Sequence, residues 1–267
     1  MLDIFQYDFM VRAFMAGFAI AIIAPMVGIF LVTRRYAFMA DTLAHVSFAG
    51  VAAAFLLGFE PIITALLLSI GTSLTVEKLR SSGKVLGEAG LAIFLSGGLA
   101  LASVLISASR GLNLNLSGVL FGSIATVTTL DLQLILGLGV VVLFTIFFLY
   151  RQLFAISLDE ELATVSGLPV TRLNRILVIL AAIIVSLSMR IVGILLVGAL
   201  MVIPVIAAMQ YKKSFFATFI ISIIISLFSV ISGLFVSYYL GWASGGTITL
   251  IAITIFVTSS LINLRRN

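Results

Sequence analysis

The stretch "AFMAGFAIAIIAPMVGIFLVT", residues 13–33, decides the fold class because it contains no charged side chain. At about 1.5 Å of rise per residue, a helix of this length crosses the roughly 30 Å hydrocarbon core of a bilayer. The remainder of the 267-residue chain is similar: 62% of all residues are hydrophobic, 9% are charged, and the mean hydropathy is +1.32. Soluble domains are far more polar. The sequence therefore predicts an all-α, polytopic membrane protein.

Runs of about 20 apolar residues mark the candidate membrane spans. Nine runs qualify: 13–33, 36–58, 60–77, 87–108, 129–150, 173–189, 191–209, 215–239 and 246–263. A further stretch, 111–128, is short and rich in Gly, Asn, Ser and Thr, so that it could span, re-enter the membrane or form a surface turn. No composition shift marks a second domain, and one membrane domain is predicted to fill residues 1–267.

The placement of basic residues predicts the topology, because cytoplasmic loops carry an excess of Lys and Arg. If 111–128 does not span and the N-terminus lies outside, only Arg12, Arg110 and Arg190 fall on the outer side. The C-terminus is then cytoplasmic, and twelve basic residues are cytoplasmic: Arg34, Arg35, Lys78, Arg80, Lys84, Arg151, Arg172, Arg175, Lys212, Lys213, Arg265 and Arg266. The net charge of +5 is explained by this topology, and no nucleic-acid partner is implied.

Two absences limit the chemistry. The chain contains no cysteine, which excludes disulfides and thiolate metal sites. It also lacks a Gly-x-x-x-x-Gly-Lys-Ser/Thr phosphate loop, since Gly83 and Lys84 are followed by Val85. If the protein uses ATP, another polypeptide must bind it.

The second predicted span holds an acid and the chain's only histidine, in "MADTLAHVSFAG", residues 39–50. Counted from residue 36, where this span begins, Asp41 and His45 lie about 8 Å and about 14 Å into the membrane, on one face of the helix. A carboxylate at such depth costs about 2.5 to 3.5 kcal/mol on insertion scales and is rarely without a role. Three interpretations remain open: a structural pair, a proton relay, and a site through which a metal ion passes.

Metal transit is chemically reasonable, because carboxylate oxygen and neutral imidazole nitrogen are ligands for zinc and similar ions. One chain supplies only Asp41 and His45. A symmetric dimer would supply two nitrogens and two oxygens, which matches the tetrahedral geometry that zinc prefers.

The polar segment "RQLFAISLDEELATVSGLPVTR", residues 151–172, is predicted to carry a short cytoplasmic helix. Ser157 and Glu160 have the spacing of a capping box, which predicts a helix over 158–166. Gly167 suits the left-handed position that ends a helix, and Pro169 prevents its continuation. The helix could be an ordinary connection or a docking helix for a cytoplasmic partner.

Four motifs, in order along nearly the whole chain, resemble the membrane subunits of ATP-binding-cassette (ABC) importers for zinc and manganese. They are "MADTLAHVSFAG" (39–50), "VLFGSIATV" (119–127), "EELATVSGLP" (160–169) and "VGILLVGALMVIPVIAA" (192–208). The third resembles the coupling signature, with Glu161, Ala163 and Gly167 in its Glu-x-Ala-x-x-x-Gly frame. Ser123 departs from the second motif, where Asn or Asp is common. Val205 and Ile206 depart from the Pro-Ala-Ala of the fourth.

The resemblance implies a type II importer-like permease in a bacterial plasma membrane, without enzymatic activity of its own. It implies a homodimer that moves zinc, or manganese next, past Asp41 and His45. A coupling helix within about 157–168 would dock on a cytoplasmic ATP-binding subunit, and an extracellular metal-binding protein would deliver the ion. No permanently bound cofactor is implied. Two rival classes remain: a proton-coupled secondary transporter that uses Asp41 and His45 as a relay, and a membrane scaffold.

Overall fold

A computed structural model describes residue 4 and residues 6–82, 87–108 and 116–264. Within these ranges the chain forms α-helices and no strand. The helices are α1 (Asp8–Thr33), α2 (Ala37–Leu57), α3 (Pro61–Ser81), α4 (Gly87–Ala108), α5 (Leu116–Phe121), α6 (Thr129–Leu158), α7 (Glu160–Val165), α8 (Val170–Val192), α9 (Val197–Met209), α10 (Phe215–Leu240) and α11 (Ser244–Leu264).

Eight of these helices are long and apolar enough to cross a membrane: α1, α2, α3, α4, α6, α8, α10 and α11. The predicted all-α, polytopic fold is therefore confirmed. Within the 111–128 stretch, residues 116–128 form only the six-residue α5 and a 3-10 turn over Ile124–Thr126, both too short to span. Residues 111–115 lie outside the described ranges, as do Lys84, Arg110, Arg265 and Arg266 of the predicted charge pattern.

The predicted span over 191–209 is wrong as one continuous helix. Residues 191 and 192 complete α8, and the chain turns at Gly193, whose φ of 82° and ψ of 153° belong to a region that is essentially restricted to glycine. After a 3-10 turn over Ile194–Leu196, α9 runs for only 13 residues, or about 20 Å. Uninterrupted hydropathy across the turn hides this break from the sequence.

The helices form an inner and an outer layer. In the most apolar window of α1, α2 and α8, 67% of the residues are buried, against 22% in α4 and α6. Helix α2 packs backbone to backbone on two neighbours, because glycine stands at both contacts. A Cβ on Gly50 would lie 2.6 Å from Cα of Ala65 in α3, and a Cβ on Gly98 of α4 would lie 2.9 Å from the carbonyl carbon of His45.

The two ends of the bundle differ in chemistry. At one end, here called the α7 end, Arg34 and Arg80 form ion pairs with Glu160. At the opposite end, the rings of Tyr7 and Tyr238 lie 6.5 Å apart.

Also at the opposite end, three chain segments cross at very short distances, here called the glycine crossing (Gly122, Ile191–Gly193 and Ser244–Gly245). A Cβ on Gly122 would lie 2.2 Å from the carbonyl oxygen of Ile191, and a Cβ on Gly245 would lie 1.6 Å from that of Val192. The Ser244 hydroxyl donates a hydrogen bond of 2.6 Å to the Ile191 carbonyl oxygen. The crossing brings together the "VLFGSIATV" segment and the turn between α8 and α9.

Candidate functional site

Helix α2 presents Asp41 and His45 on the one face that its neighbours leave partly open. Both side chains are partly exposed, whereas Ala40, Thr42 and Ala44 beside them are buried. Phe38, one turn before Asp41 on the same face, is 63% exposed. The i, i+4 spacing thus places the acid and the imidazole together on a surface of this chain, as the sequence predicts.

The Asp41 carboxylate lies in a groove between α2 and α9, of about 290 Å³. The groove is lined by Ala37, Phe38, Asp41, Gly198, Ala199, Val202 and Ile203. A Cβ on Gly198 would lie 1.9 Å from Oδ1 of Asp41, so that only glycine leaves room for the carboxylate in this position. Gly198 belongs to the "VGILLVGALMVIPVIAA" segment, and its contact with Asp41 was not predicted from the sequence.

His45 has a free ring nitrogen: Nδ1 is buried and makes no hydrogen bond to any part of the chain that the structure describes. A buried nitrogen without a partner is unfavourable and suits a ligand that arrives from outside the chain. A hydrogen-bonded Asp41–His45 pair, the first of the three interpretations, is not what the described residues form.

The described residues contain no group of three or more His, Cys, Asp and Glu side chains that could hold a metal ion. Asp41 and His45 supply one carboxylate and one imidazole, which are suitable ligand types for zinc but too few for a four-coordinate site. One subunit therefore provides at most half of such a site.

A buried set of hydroxyl groups lies almost two turns beyond Asp41 and fixes α2 laterally. The Oγ atoms of Ser47 in α2 and Ser69 in α3 are 2.7 Å apart, and Ser47 lies 3.4 Å from Oγ of Ser186 in α8. All three serines are fully buried. They connect α2 to α3 and α8 and have no access to a passing ion.

The short helix at the α7 end exists, but its capping residue differs from the prediction. Ser157 lies inside α6, where its hydroxyl donates to the carbonyl oxygen of Leu153. Asp159 is the N-cap of α7, and its carboxylate accepts hydrogen bonds from the backbone N–H groups of Glu161 and Leu162, each of 2.9 Å. The predicted Ser157–Glu160 capping box is therefore wrong. An aspartate directly before the helix satisfies the same orphan donors without a second partner.

The C-terminal end of α7 agrees with the prediction. Gly167 has a φ of +81°, and the backbone N–H of Leu168 donates to the carbonyl oxygen of Ala163. This is the left-handed glycine motif that ends helices.

The coupling-signature residues of α7 differ in exposure. Ala163 is buried against the bundle, while Glu161 and Gly167 are exposed. Two large apolar side chains are also exposed: Leu162 by 65% and Val165 by 87%. Because α7 has only six residues, it cannot span, and its exposed apolar side chains form a candidate contact surface.

Glu160 anchors α7 to the bundle. Oε2 accepts a hydrogen bond of 2.7 Å from Nη2 of Arg34, and Oε1 accepts bonds of 2.9 Å from Nδ2 of Asn174 and 3.3 Å from Nη2 of Arg80. Burial raises the pKa of the Glu160 carboxyl, but the Asn174 hydrogen bond and the two guanidinium groups outweigh it and leave the pKa below its ordinary value. Glu160 is therefore ionised at neutral pH, and its contacts are lost only as the pH falls through this lowered pKa.

The profile of the ABC 3 transport family matches residues 6–263. A probable metal transport system membrane protein of Treponema pallidum (strain Nichols) is 35% identical, with 94% of each chain covered. The manganese import system permease protein ScaB of Streptococcus parasanguinis is 30% identical, covering 96% of this chain and 91% of that protein. The high-affinity zinc uptake system membrane protein ZnuB of Haemophilus influenzae is 29% identical, covering 95% and 97% respectively.

The same fold is found among solved structures. A chain of PsaBC from Streptococcus pneumoniae, solved in complex with Fab, superposes with a TM-score of 0.85 at 28% identity. The match covers 97% of this chain and 92% of the other.

Proposed function

Because the chain belongs to the ABC 3 transport family, we propose that it is the permease subunit of an ABC importer that carries zinc or manganese into the cell. It is a multi-pass protein of the bacterial inner membrane, and another subunit hydrolyses the ATP. The N-terminus lies outside, so that the basic α7 end is cytoplasmic.

The observation that carries the proposal is the state of Asp41 and His45. They share one partly open face of α2, Nδ1 of His45 has no partner among the described residues, and Gly198 makes room for the carboxylate. A site that must release its ion has to bind that ion with few ligands, which are not held in a rigid coordination sphere.

A second copy of the chain completes the site. Two Asp41 carboxylates and two His45 imidazoles, related by a twofold axis, form a four-ligand set of two oxygens and two nitrogens. Manganese prefers oxygen ligands more strongly than zinc does, so that the imidazole nitrogens favour zinc as the first cargo to test.

The cytoplasmic partner binds at α7. The exposed Leu162 and Val165 provide an apolar contact, Glu161 provides a charge beside it, and the chain itself has no phosphate loop. An extracellular metal-binding protein delivers the ion at the opposite end.

The test is uptake of zinc and of manganese, measured in parallel in cells that carry Asp41→Ala, Asp41→Asn or His45→Ala. We expect each variant to lose at least about 90% of uptake at limiting metal, because loss of one ligand type from both copies halves the set. Asp8→Asn, which removes an exposed acid at the opposite end, is the control and should transport normally. Normal uptake by the Asp41 and His45 variants would refute the transit site. Uptake that needs a proton gradient and no ATP would instead identify the secondary transporter.

A further inference from the structure

At the α7 end, one carboxylate joins four separate parts of the chain. Glu160 of α7 contacts Arg34 just after α1, Arg80 in the last turn of α3, and Asn174 near the start of α8. Asn174 also accepts a hydrogen bond from Nη1 of Arg34, which closes the network. These four side chains, Glu160, Arg34, Arg80 and Asn174, are here called the Glu160 network.

The network is partly buried and therefore differs from an ion pair on the surface. The Arg34 side chain is only 4% exposed, so that its charge depends on the carboxylates near it: Glu160 in direct contact and Glu77 at longer range. A buried guanidinium that loses its carboxylate partner leaves an uncompensated charge, which is strongly unfavourable. Arg34 is therefore expected to follow Glu160 when α7 moves.

Arg80 has a second acid within reach. Its Nε lies 3.3 Å from Oε2 of Glu77, and Glu77 is almost completely buried in α3. Arg80 consequently keeps a partner if Glu160 withdraws. The link between α1 and α7 depends on the short Arg34–Glu160 ion pair, since Glu77 acts on Arg34 only at longer range.

Arg34 also leads directly to the helix that carries the transit site. Only Arg35 and Tyr36 separate it from α2, and Arg35 has a φ of +60°, which is uncommon for a residue with a side chain. The backbone N–H of Tyr36 donates to the carbonyl oxygen of Leu31, with a length of 2.7 Å. The Tyr36 ring lies under both guanidinium groups, 5.4 Å from Arg34 and 4.7 Å from Arg80. This tight turn connects Arg34 closely to the start of α2.

We propose that Glu160 is a positioning residue that links α7 to α2, so that movement of α7 on the ATP-binding subunit changes the position of Asp41. The inference rests on the proposed function, because it assumes that α7 is the docking helix. Glu160 contacts neither metal nor nucleotide, and it acts through Arg34 and the turn at Tyr36. Loss of its charge should separate ATP hydrolysis from transport without preventing assembly.

The test uses the full-length permease, reconstituted in vesicles with the ATP-binding subunit of the proposed importer, and zinc chloride as substrate. In Glu160→Gln we expect the complex to assemble and ATP hydrolysis to persist, while zinc taken up per ATP falls about tenfold, a size typical of coupling between sites. Glu88→Gln, which removes an exposed acid from the first turn of α4, should keep the normal ratio. An unchanged ratio in Glu160→Gln would overturn the proposal.

A second measurement reports the position of α7 directly. Since the chain has no cysteine, a nitroxide label on Val165→Cys is the only thiol adduct. We expect greater label mobility in the Glu160→Gln background than in the unsubstituted one, and equal mobility would contradict the anchoring role. If Glu160→Gln fails to insert, Arg80→Gln removes one of the contacts and should lower the uptake-to-ATP ratio by about fivefold, at the lower end of the usual range for such coupling. A normal ratio in Arg80→Gln would then overturn the proposal.

The two proposals fail differently. If the unsubstituted permease does not retain the ATP-binding protein, the docking role of α7 is wrong and the proposed function fails. If it does retain that protein and Glu160→Gln transports with a normal ratio, only the link through Glu160 is wrong.

Discussion

At the scale of single residues, the candidate site combines two side chains that the sequence reveals with one glycine that it does not. Asp41 and His45 are conspicuous because they are polar in an apolar run, four residues apart. Gly198 is one small residue among many in its segment. Gly198 matters because α9 approaches α2 closely at this residue. That approach depends on tertiary packing and leaves no signal in the local sequence. The same is true of the Glu160 contacts, since their partners lie up to 126 residues away.

Gly198→Ala tests whether the position of the Asp41 carboxylate matters. The added Cβ would lie 1.9 Å from Oδ1, so that α9 or the carboxylate must shift, and overpacking of this kind costs about 1 to 3 kcal/mol. We expect zinc uptake to fall about tenfold, mainly through a higher KM for the ion, with normal insertion. The control is Gly71→Ala in α3, where nothing lies within 4 Å of the new atom. A Gly198→Ala permease with normal kinetics would show that this approach is not required.

At the scale of helices, the sequence predicts most elements because each has a local cause. Long apolar runs are visible in composition, and Gly167 marks the end of α7 through its left-handed backbone. Two predictions failed for related reasons. The predicted cap at Ser157 is wrong because several polar residues near a helix start can take that position, and α6 continues to Leu158. The break at Gly193 is hidden because glycine is also common inside membrane helices.

Gly167→Ala and Glu161→Gln test the docking role of α7. An alanine at residue 167 would be strained at a φ of +81°, at a cost of about 1 kcal/mol, and would distort the end of the helix. Glu161→Gln removes an exposed charge. We expect both variants to insert normally and to retain less of the ATP-binding protein on co-purification. Gly58→Ala is the matched control, because Gly58 also has a positive φ, of 74°, with open space around it, but it ends α2 at the opposite end. Equal retention by all three variants would contradict the docking role.

At the scale of the whole molecule, the glycine crossing joins segments that are far apart in sequence. It fixes the described part of the 111–128 stretch, the turn after α8 and the start of α11 at one point. Hydropathy alone assigns none of these contacts, since a crossing depends on the arrangement of complete helices. The fold class could therefore be predicted from the sequence, but the arrangement of α5, α9 and α11 around this point could not.

Gly245→Ala tests the importance of the crossing for stability. Its Cβ would lie 1.6 Å from the carbonyl oxygen of Val192. Because this oxygen belongs to the backbone, it cannot move aside by a change of side-chain rotamer. We expect a loss of at least about 3 kcal/mol, seen as lower thermal stability in detergent and poor yield of folded protein. Gly246→Ala is the control, because the added Cβ at this neighbouring residue would have open space around it. Its thermal stability should be close to that of the unsubstituted protein. Similar melting temperatures for the two variants would refute the expectation.

The glycine contacts of α2 with α3 and α4 also restrict how the protein can cycle. Helices that touch through their main chains cannot slide or rotate past one another without a clash, so that α2, α3 and α4 are expected to move as a rigid body. The distance between the Asp41 carboxylate and the His45 imidazole would then stay constant throughout the transport cycle. In the proposed dimer, we therefore expect the ion to leave when the two protomers draw apart, without deformation of either pair of ligands.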